Sequence, residues 1–568
     1  MKTECGLFGC IMKIPLDKEI IYNAMSNIQH RGQDSYGYIT IANGKGDSKG
    51  DGKVDVKLIK HFGLLSEYEK FEYDENTELF LGHMRYSTNT QLENAALENS
   101  LNKSNIQPIE ICKDNYIYLA HNGNLPNLKQ NILKLELGLG MGLEYKDGMS
   151  DTQLFKLLWD KLINNLVVDV DKNDGNDMKQ FIIDYIKYII NNIPGAYSCV
   201  ITYYHKAKKN NSGENNSRKG NCFLFGFRDR FGYKPLSICK IESNANTSYC
   251  FVSETVQVLE FYENNNGTCE FISDVRPGEI WCIEDSRKPE IIYSMDMNID
   301  NDNDINNDID NIVENSSKNS TGAFFCSLEA IYFMKNDSLL FNGVVTVADF
   351  RKQIGIELAK QDLDLLGKEN CVGMEILMKR DILYIPESSF SIAIGYSELL
   401  SCYVRKDLIF KIENIRSFIE STHEARIGKL KRKFAFNIED IKKLDEITLV
   451  DDSIVRGNSM KFIVDTLYSI NKNLKIHIRI GCPKLIMGCN FGIDLYDDEL
   501  LARKIDDRKI RKSRKSGKSD NLAEYFGVES IMFLEFERLQ KIFNSYGIIN
   551  CSMCFGNIHE NNKKTLEW

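Results

Sequence analysis

The chain has 568 residues and a mass of 65.2 kDa, with 43% hydrophobic and 27% charged residues. That composition is globular and excludes a collagen, a coiled coil and a wholly disordered chain. A net charge of −10 argues against a general electrostatic grip on nucleic acid, and no window approaches the roughly 18 apolar residues that cross a bilayer. The first residues, Met-Lys-Thr-Glu-Cys-Gly-Leu-Phe-Gly-Cys, carry no basic region followed by an apolar stretch, so they do not read as a signal peptide. Their acidic residue and lack of Arg argue against a transit peptide. A reducing cytosol is the default, where clustered cysteines among the 16 are metal ligands or catalysts rather than disulfides.

Up to about residue 296, short apolar runs alternate with turn signals: ELFLGHMRYS, NYIYLAHNG, CVITYY, CFLFGF and YCFVSE. They predict packed β-sheets, with helices over 151–166 and 178–192. A polar stretch at 205–220 lies between two β-rich runs and reads as a hairpin insertion. Residues 297–321 are almost all Asn, Asp and Ser. They cannot bury enough apolar surface to offset their ordering entropy, so a disordered linker and domain boundary are expected there. Beyond it ILYIP leads to SSFSIAIGYSELLS, ITLVDD to SMKFIVDTLYSI, and KIHIRIGCP follows. That alternation predicts βαβ units on a parallel sheet. A late basic run, Arg503 to Lys518, reads as a solvated insertion.

The stretch 447–462, ITLVDDSIVRGNSMKF, is the most informative. A β-prone run ends in Asp451-Asp452, a short loop with Gly457 follows, and then an amphipathic helix. A loop opening onto a helix N-terminus presents unpaired N–H groups to an anion, and Ser453, Asn458 and Ser459 add side-chain donors. Adjacent carboxylates suit a polyol or a hard cation such as Mg²⁺. A sugar phosphate satisfies both halves. Near the C-terminus, Cys551 and Cys554 have a metal-like spacing that also fits a redox pair or half a zinc site.

VDDSIVRGNS resembles the phosphoribosyl-pyrophosphate (PRPP) motif of type I phosphoribosyltransferases, and in particular the VDDSIVRGTT of the glutamine PRPP amidotransferase family. Cys5-Gly6-Leu7-Phe8-Gly9 resembles the start of N-terminal-nucleophile amidotransferases, in which a short leader, here Met1 to Glu4, is removed and the cysteine's own α-amine becomes its base. The strings from Gln29 to Asp34, Gly82 to Thr88, His121 to Leu125 and Ser150 to Thr152 resemble that family's QHRGQ, GHxRYST, HNGNL and SDT motifs. The resemblance implies that Arg85, Thr88 and Asp151 bind glutamine. It also implies that Asn122 and Gly123 form the oxyanion hole for the Cys5 adduct. Arg228 to Leu236 and Ser253-Glu254-Thr255 read as structural. PRPP falls to Asp451, Asp452, Ser453, Val455, Arg456, Gly457, Asn458, Ser459 and Arg416, with Ser388, Asp451 and Asp452 at Mg²⁺.

The same resemblance matches Cys326 and Cys489 to Cys551 and Cys554 as ligands of a structural [4Fe–4S] cluster. A Cys₄ zinc site would use the same four ligands. One segment departs from the family: its basic lid, KNRYVGRTFI, is here Phe410 to Ile419, keeping Arg416 and Phe418, with Lys411 offering a displaced charge. Lys431-Arg432-Lys433 approximates the basic patch that follows.

The fold expected is therefore an α+β N-terminal-nucleophile (Ntn) hydrolase sandwich over 5–296, a linker over 297–321, and an α/β type I phosphoribosyltransferase domain with a parallel sheet over 322–568. The activity expected is amidophosphoribosyl transfer in purine synthesis, in the cytoplasm, with no nucleic-acid or membrane partner. The resemblance adds a homotetramer and feedback by purine nucleotides. The alternative is a regulatory paralogue, or a glutaminase impaired in transfer by its altered lid.

Overall fold

The computed structural model describes residues 5–12, 16–43, 54–86, 104–139, 143–145, 149–165, 175–206, 220–243, 246–259, 267–285, 287–295, 324–366, 375–412, 433–489, 491–493, 495–505 and 521–556. The expected leader and linker lie outside them, with most of the 205–220 insertion, the basic run beyond 505, Thr88 and Arg416.

The N-terminal half is four layers, helix, sheet, sheet and helix. One antiparallel sheet has seven strands in the order Gly267–Asp274, Ser237–Ser243, Asn246–Val252, Gly6–Ile11, Thr77–Arg85, Ser35–Asn43, Val54–Phe62. The second has six, in the order Glu290–Ser294, Glu279–Glu284, Asn221–Arg228, Ala196–His205, Ile117–Asn124, Ile109–Cys112. Period-2 alternation explains the layering. On Gly6–Ile11, Leu7 and Ile11 face inward and meet Val200 and Leu224 of the other sheet, while Phe8 and Cys10 face outward beneath the helix Lys18–Asn27. Both faces are covered, so the strand reads as a continuous apolar run. Helices Leu128–Leu139, Asp151–Asn165 and Gly175–Asn192 cover the other outer face, with Leu154, Leu158 and Ile186 in its core. Two of these match the helices expected over 151–166 and 178–192. Antiparallel pairing of Ala196–His205 with Asn221–Arg228 is the hairpin expected around the polar stretch.

The C-terminal half holds a four-stranded sheet in the order Asp381–Tyr384, Glu446–Asp451, Lys475–Ile480, Ser530–Phe533, parallel throughout. Its strands are apolar (Ile447, Leu449, Ile476, Ile478) because helices such as Val347–Leu365, Phe390–Leu400 and Asn458–Ile470 bury them. The carboxyl edge of such a sheet is where ligands bind in α/β folds. Among the described residues no helix is long and apolar enough to cross a membrane.

Candidate active sites

Cys5 sits just before Gly6–Ile11, a central strand of the larger sheet. Its thiol donates to the Tyr86 carbonyl at 3.8 Å and accepts the Tyr86 N–H at 3.5 Å. A cavity of about 40 Å³ beside it is lined by Arg85, Asn122, Gly123 and Asp151, so every described residue expected at this site is gathered there. Arg85 ends Thr77–Arg85, Asn122 and Gly123 lie near the end of Ile117–Asn124, and Asp151 begins Asp151–Asn165. Asn122 is 1% exposed, and neither its Oδ1 nor its Nδ2 has a hydrogen-bond partner. Burying an unsatisfied amide costs about 1–3 kcal/mol, which marks Asn122 as kept for a ligand. A Cβ on Gly123 would lie 2.1 Å from the Ala196 carbonyl, so only glycine fits there. Behind them, burial drives the His121 imidazole below its usual range, Asp151 opposing and Lys234 adding to the effect. Burial and Arg85 bring His83 down to about 3.

Sequence reasoning missed Gln107 and Lys234, which also line this cavity. Gln107 accepts the His121 N–H at 2.6 Å and donates to Thr152 Oγ1 at 3.2 Å, locking two motif strings together. The string from Arg228 to Leu236 is structural only in part. Asp229 takes the N–H groups of Phe231, Gly232 and Tyr197 at 2.8, 2.8 and 2.9 Å, a purely architectural task. Lys234 instead reaches the cavity and Gly492. No local pattern separates the two roles.

The second cavity, about 830 Å³, opens at the carboxyl edge of the parallel sheet. That is within the range of small-molecule sites. Asp451, Asp452, Ser453, Val455, Arg456, Gly457, Asn458 and Ser459 all line it, as does Ser388. Asp451 and Asp452 are 9% and 3% exposed. Burial, then the neighbouring carboxylate, pushes Asp451 well above the usual range. Burial raises Asp452 too, against hydrogen bonds from Ser388 and Ser453 and the charge of Arg351. Two buried carboxylates that resist carrying charge together, beside a hydroxyl, form a donor set that fits Mg²⁺. Arg456 is paired with Glu499. Lys411 and Lys433, the lid and patch charges that the sequence offered, lie on the cavity wall.

Between the cavities runs a buried ionic network. Arg31, 1% exposed, donates Nε to the Cys5 carbonyl at 3.0 Å, NH1 to Glu254 at 2.8 Å, and a bidentate pair to Glu329 at 2.8 and 3.0 Å. Glu254 also takes the Lys335 N–H and the Ser338 hydroxyl, both at 2.9 Å, and pairs with His30. Burial alone would raise the Glu254 carboxyl; His30 and Arg31 outweigh it and hold it far below the usual range. His30 and Lys335 line the larger cavity. Thus a short chain of charge-assisted bonds joins the backbone of Cys5 to the wall of the second site.

The four expected ligand cysteines converge. Phe324–Cys326 pairs in parallel with Ile549–Cys551, setting Cys326 opposite Cys551. Cys551 and Cys554 flank the start of the turn Met553–Phe555, whose Cys554 carbonyl accepts the N–H groups of Ile486 and Met487 at 2.9 and 3.2 Å, close in sequence to Cys489. Burial pushes Cys551 up to about 12. It raises Cys554 well above the usual thiol range too, with Cys551, Cys326 and Cys489 adding to it. Four thiols from three segments have the ligand chemistry that a Cys₄ centre would need. Among the described residues no group of three or more His, Cys, Asp or Glu is disposed to hold a metal ion.

The fold is that of a two-centre protein, an N-terminal-nucleophile sandwich joined to a phosphoribosyltransferase-type parallel sheet. The chain is similar to the amidophosphoribosyltransferase of Methanocaldococcus jannaschii, 29% identical over 545 residues, covering 94% of each chain. It is 28% identical over 562 residues to the Mus musculus protein of that name, covering 95% of this chain and 89% of that one. In structure it is similar to the glutamine PRPP amidotransferase of B. subtilis complexed with ADP and GMP, with a TM-score of 0.63, 24% identity and 98% of each chain covered. No protein-family model matches the chain. The full-length relatives support the amidophosphoribosyltransferase family.

Proposed function

We infer that the protein is an amidophosphoribosyltransferase, converting glutamine, PRPP and water to 5-phosphoribosylamine, glutamate and pyrophosphate. The observation that carries this reading is one chain holding both the Cys5 cavity, with its unpartnered Asn122 amide, and a large cavity around the 451–459 loop. Relatives of that name along its whole length support it.

Removal of residues 1–4 makes Cys5 the first residue. Its α-amine, with an ordinary pKa of about 7.7–8.0, takes the thiol proton. The thiolate attacks the amide carbon of glutamine, and Asn122 Nδ2 and the Gly123 N–H receive the oxyanion. Arg85, Thr88 and Asp151 hold the α-carboxylate and α-ammonium ends of the substrate. The C–N bond breaks, ammonia leaves with the proton held by the α-amine, and water hydrolyses the thioester to glutamate. Ammonia passes through the protein and displaces pyrophosphate at C1 of the ribose.

There Asp451 and Asp452 hold the ribose hydroxyls and, with Ser388, Mg²⁺, which when bound neutralises the pyrophosphate. The 5′-phosphate lies against Ser453, Val455, Arg456, Gly457, Asn458 and Ser459, at the N-terminus of Asn458–Ile470. Arg416, Lys411 and Lys433 supply positive charge toward the pyrophosphate. The two lysines on the cavity wall favour transfer over a binding-only paralogue. Cys326, Cys489, Cys551 and Cys554 would hold a structural [4Fe–4S] cluster, and equimolar iron and acid-labile sulfide, rather than zinc, would mark it. Purine nucleotides inhibit, the assembly is a homotetramer, and the compartment is the cytoplasm. The test is Cys5→Ser: it should abolish phosphoribosylamine formation from glutamine and leave formation from ammonia intact. Loss of neither, or of both in a folded protein, would refute the division of labour.

A further inference from the structure

The Cys5 cavity is not enclosed by the N-terminal half alone. Gly492, from the other half, forms part of its lining. Its carbonyl accepts a hydrogen bond at 3.2 Å from Nζ of Lys234, a lysine only 1% exposed. A buried ammonium is tolerated only where dipoles or charges meet it. Beside this bond Tyr233 stacks on Phe491, ring centroids 4.8 Å apart and planes 14° from parallel. Gly492 has φ +105°, and a Cβ there would lie 2.8 Å from Lys234 Cε and 3.5 Å from Asn124 Cβ. The turn therefore rests against both Lys234 and the strand that carries Asn122 and Gly123. On its other side, the Phe491 N–H donates to Cys489 Sγ at 3.3 Å. One short turn thus joins the convergent thiols to the cavity. At about 40 Å³ of water-accessible space the cavity is small, so the placement of each lining residue, Gly492 included, bears on what it can hold.

We propose that the Phe491–Gly492 turn is a wall of the glutamine pocket, held by Lys234 and Tyr233 as positioning residues, so that the pocket is complete only when the C-terminal half is docked. This rests on the glutaminase reading of Cys5. Loss of the thiol-bearing segment's order would then weaken glutamine capture without touching the nucleophile.

The test uses the full-length protein with Gly492→Ala, Lys234→Met and Lys234→Arg. Gly492→Ala and Lys234→Met should raise the glutamine KM by about tenfold or more, short of the roughly 10²-fold that a 1 Å misplacement can cost, with kcat changed less than about twofold. Lys234→Arg keeps a donor and should recover most of the loss. A second readout needs no turnover: glutamine protection of Cys5 against iodoacetamide should require correspondingly more glutamine in the two impaired variants. Ammonia-supported phosphoribosylamine formation, which uses the other cavity, reports folding. Unchanged KM and unchanged protection in Gly492→Ala and Lys234→Met would overturn the proposal. Wild-type protein that releases glutamate but makes no phosphoribosylamine would remove the transferase reading and leave the wall to be judged by KM and protection. Wild-type Cys5 that glutamine does not protect would remove the glutaminase reading and this proposal with it.

Discussion

Replacing Arg31 by Met should cost more at neutral pH than in mild acid, and the size of that difference follows from the geometry. Arg31 makes four charge-assisted bonds, to Cys5, Glu254 and twice to Glu329. Both carboxylates are 0% exposed. Breaking a buried pair by removing one partner typically costs about 3–5 kcal/mol. Glu254 keeps His30 and two further donors, while Glu329 loses its bidentate guanidinium. A carboxylate deprived of its guanidinium can take up a proton instead, which caps the cost. For an ordinary glutamate that cap is about 4 kcal/mol at pH 7.5 and about 1.5 kcal/mol at pH 5.5. Urea unfolding of wild type and Arg31→Met at the two pH values measures both. Arg31→Met/Glu329→Gln should recover much of the pH 7.5 loss. A penalty below about 1 kcal/mol at pH 7.5, or one equal at both pH values, would refute the reasoning.

Asn122→Ala should lower the kcat for glutamine hydrolysis about 10²–10³-fold with little change in KM, measured as glutamate release. Asp452→Asn should raise the KM for PRPP by about 10-fold or more, the equivalent of one charge-assisted bond, and leave basal glutamine hydrolysis alone. His83 is held neutral, with its folded value near 3 against an ordinary 6.5. The unfolded chain therefore binds the proton first, and the stability His83 gives is complete above pH 6.5 and lost as pH falls toward 3. Melting temperature should decline through that window, and His83→Gln should flatten the decline.

Much of the fold was legible because both halves announce themselves locally. The apolar runs before residue 296 are strands buried on both faces, and the runs from Asp381 onward alternate with helices as a parallel sheet requires. The site residues were legible where one motif string supplies several of them, as with Asp451 to Ser459 and Asn122-Gly123. What escaped was the set of contacts by which the two halves dock on each other. Arg31 meets Glu329 across 298 positions, and Lys234 meets Gly492 across 258. Nothing near Glu329 in CSLEAIYF signals that a charge there is fully buried and paired. Lys234 hid within a string whose other members, Arg228 and Asp229, only brace the turn. Such pairings are set by how the two halves dock, and no periodicity within one segment encodes that.

The central claim is that two centres act as one enzyme. Its most direct measurement is glutamate release from glutamine by anaerobically purified protein, with and without Mg-PRPP, alongside pyrophosphate. The account predicts strong stimulation by PRPP and one pyrophosphate per glutamate. Hydrolysis that PRPP neither stimulates nor couples to pyrophosphate would contradict it.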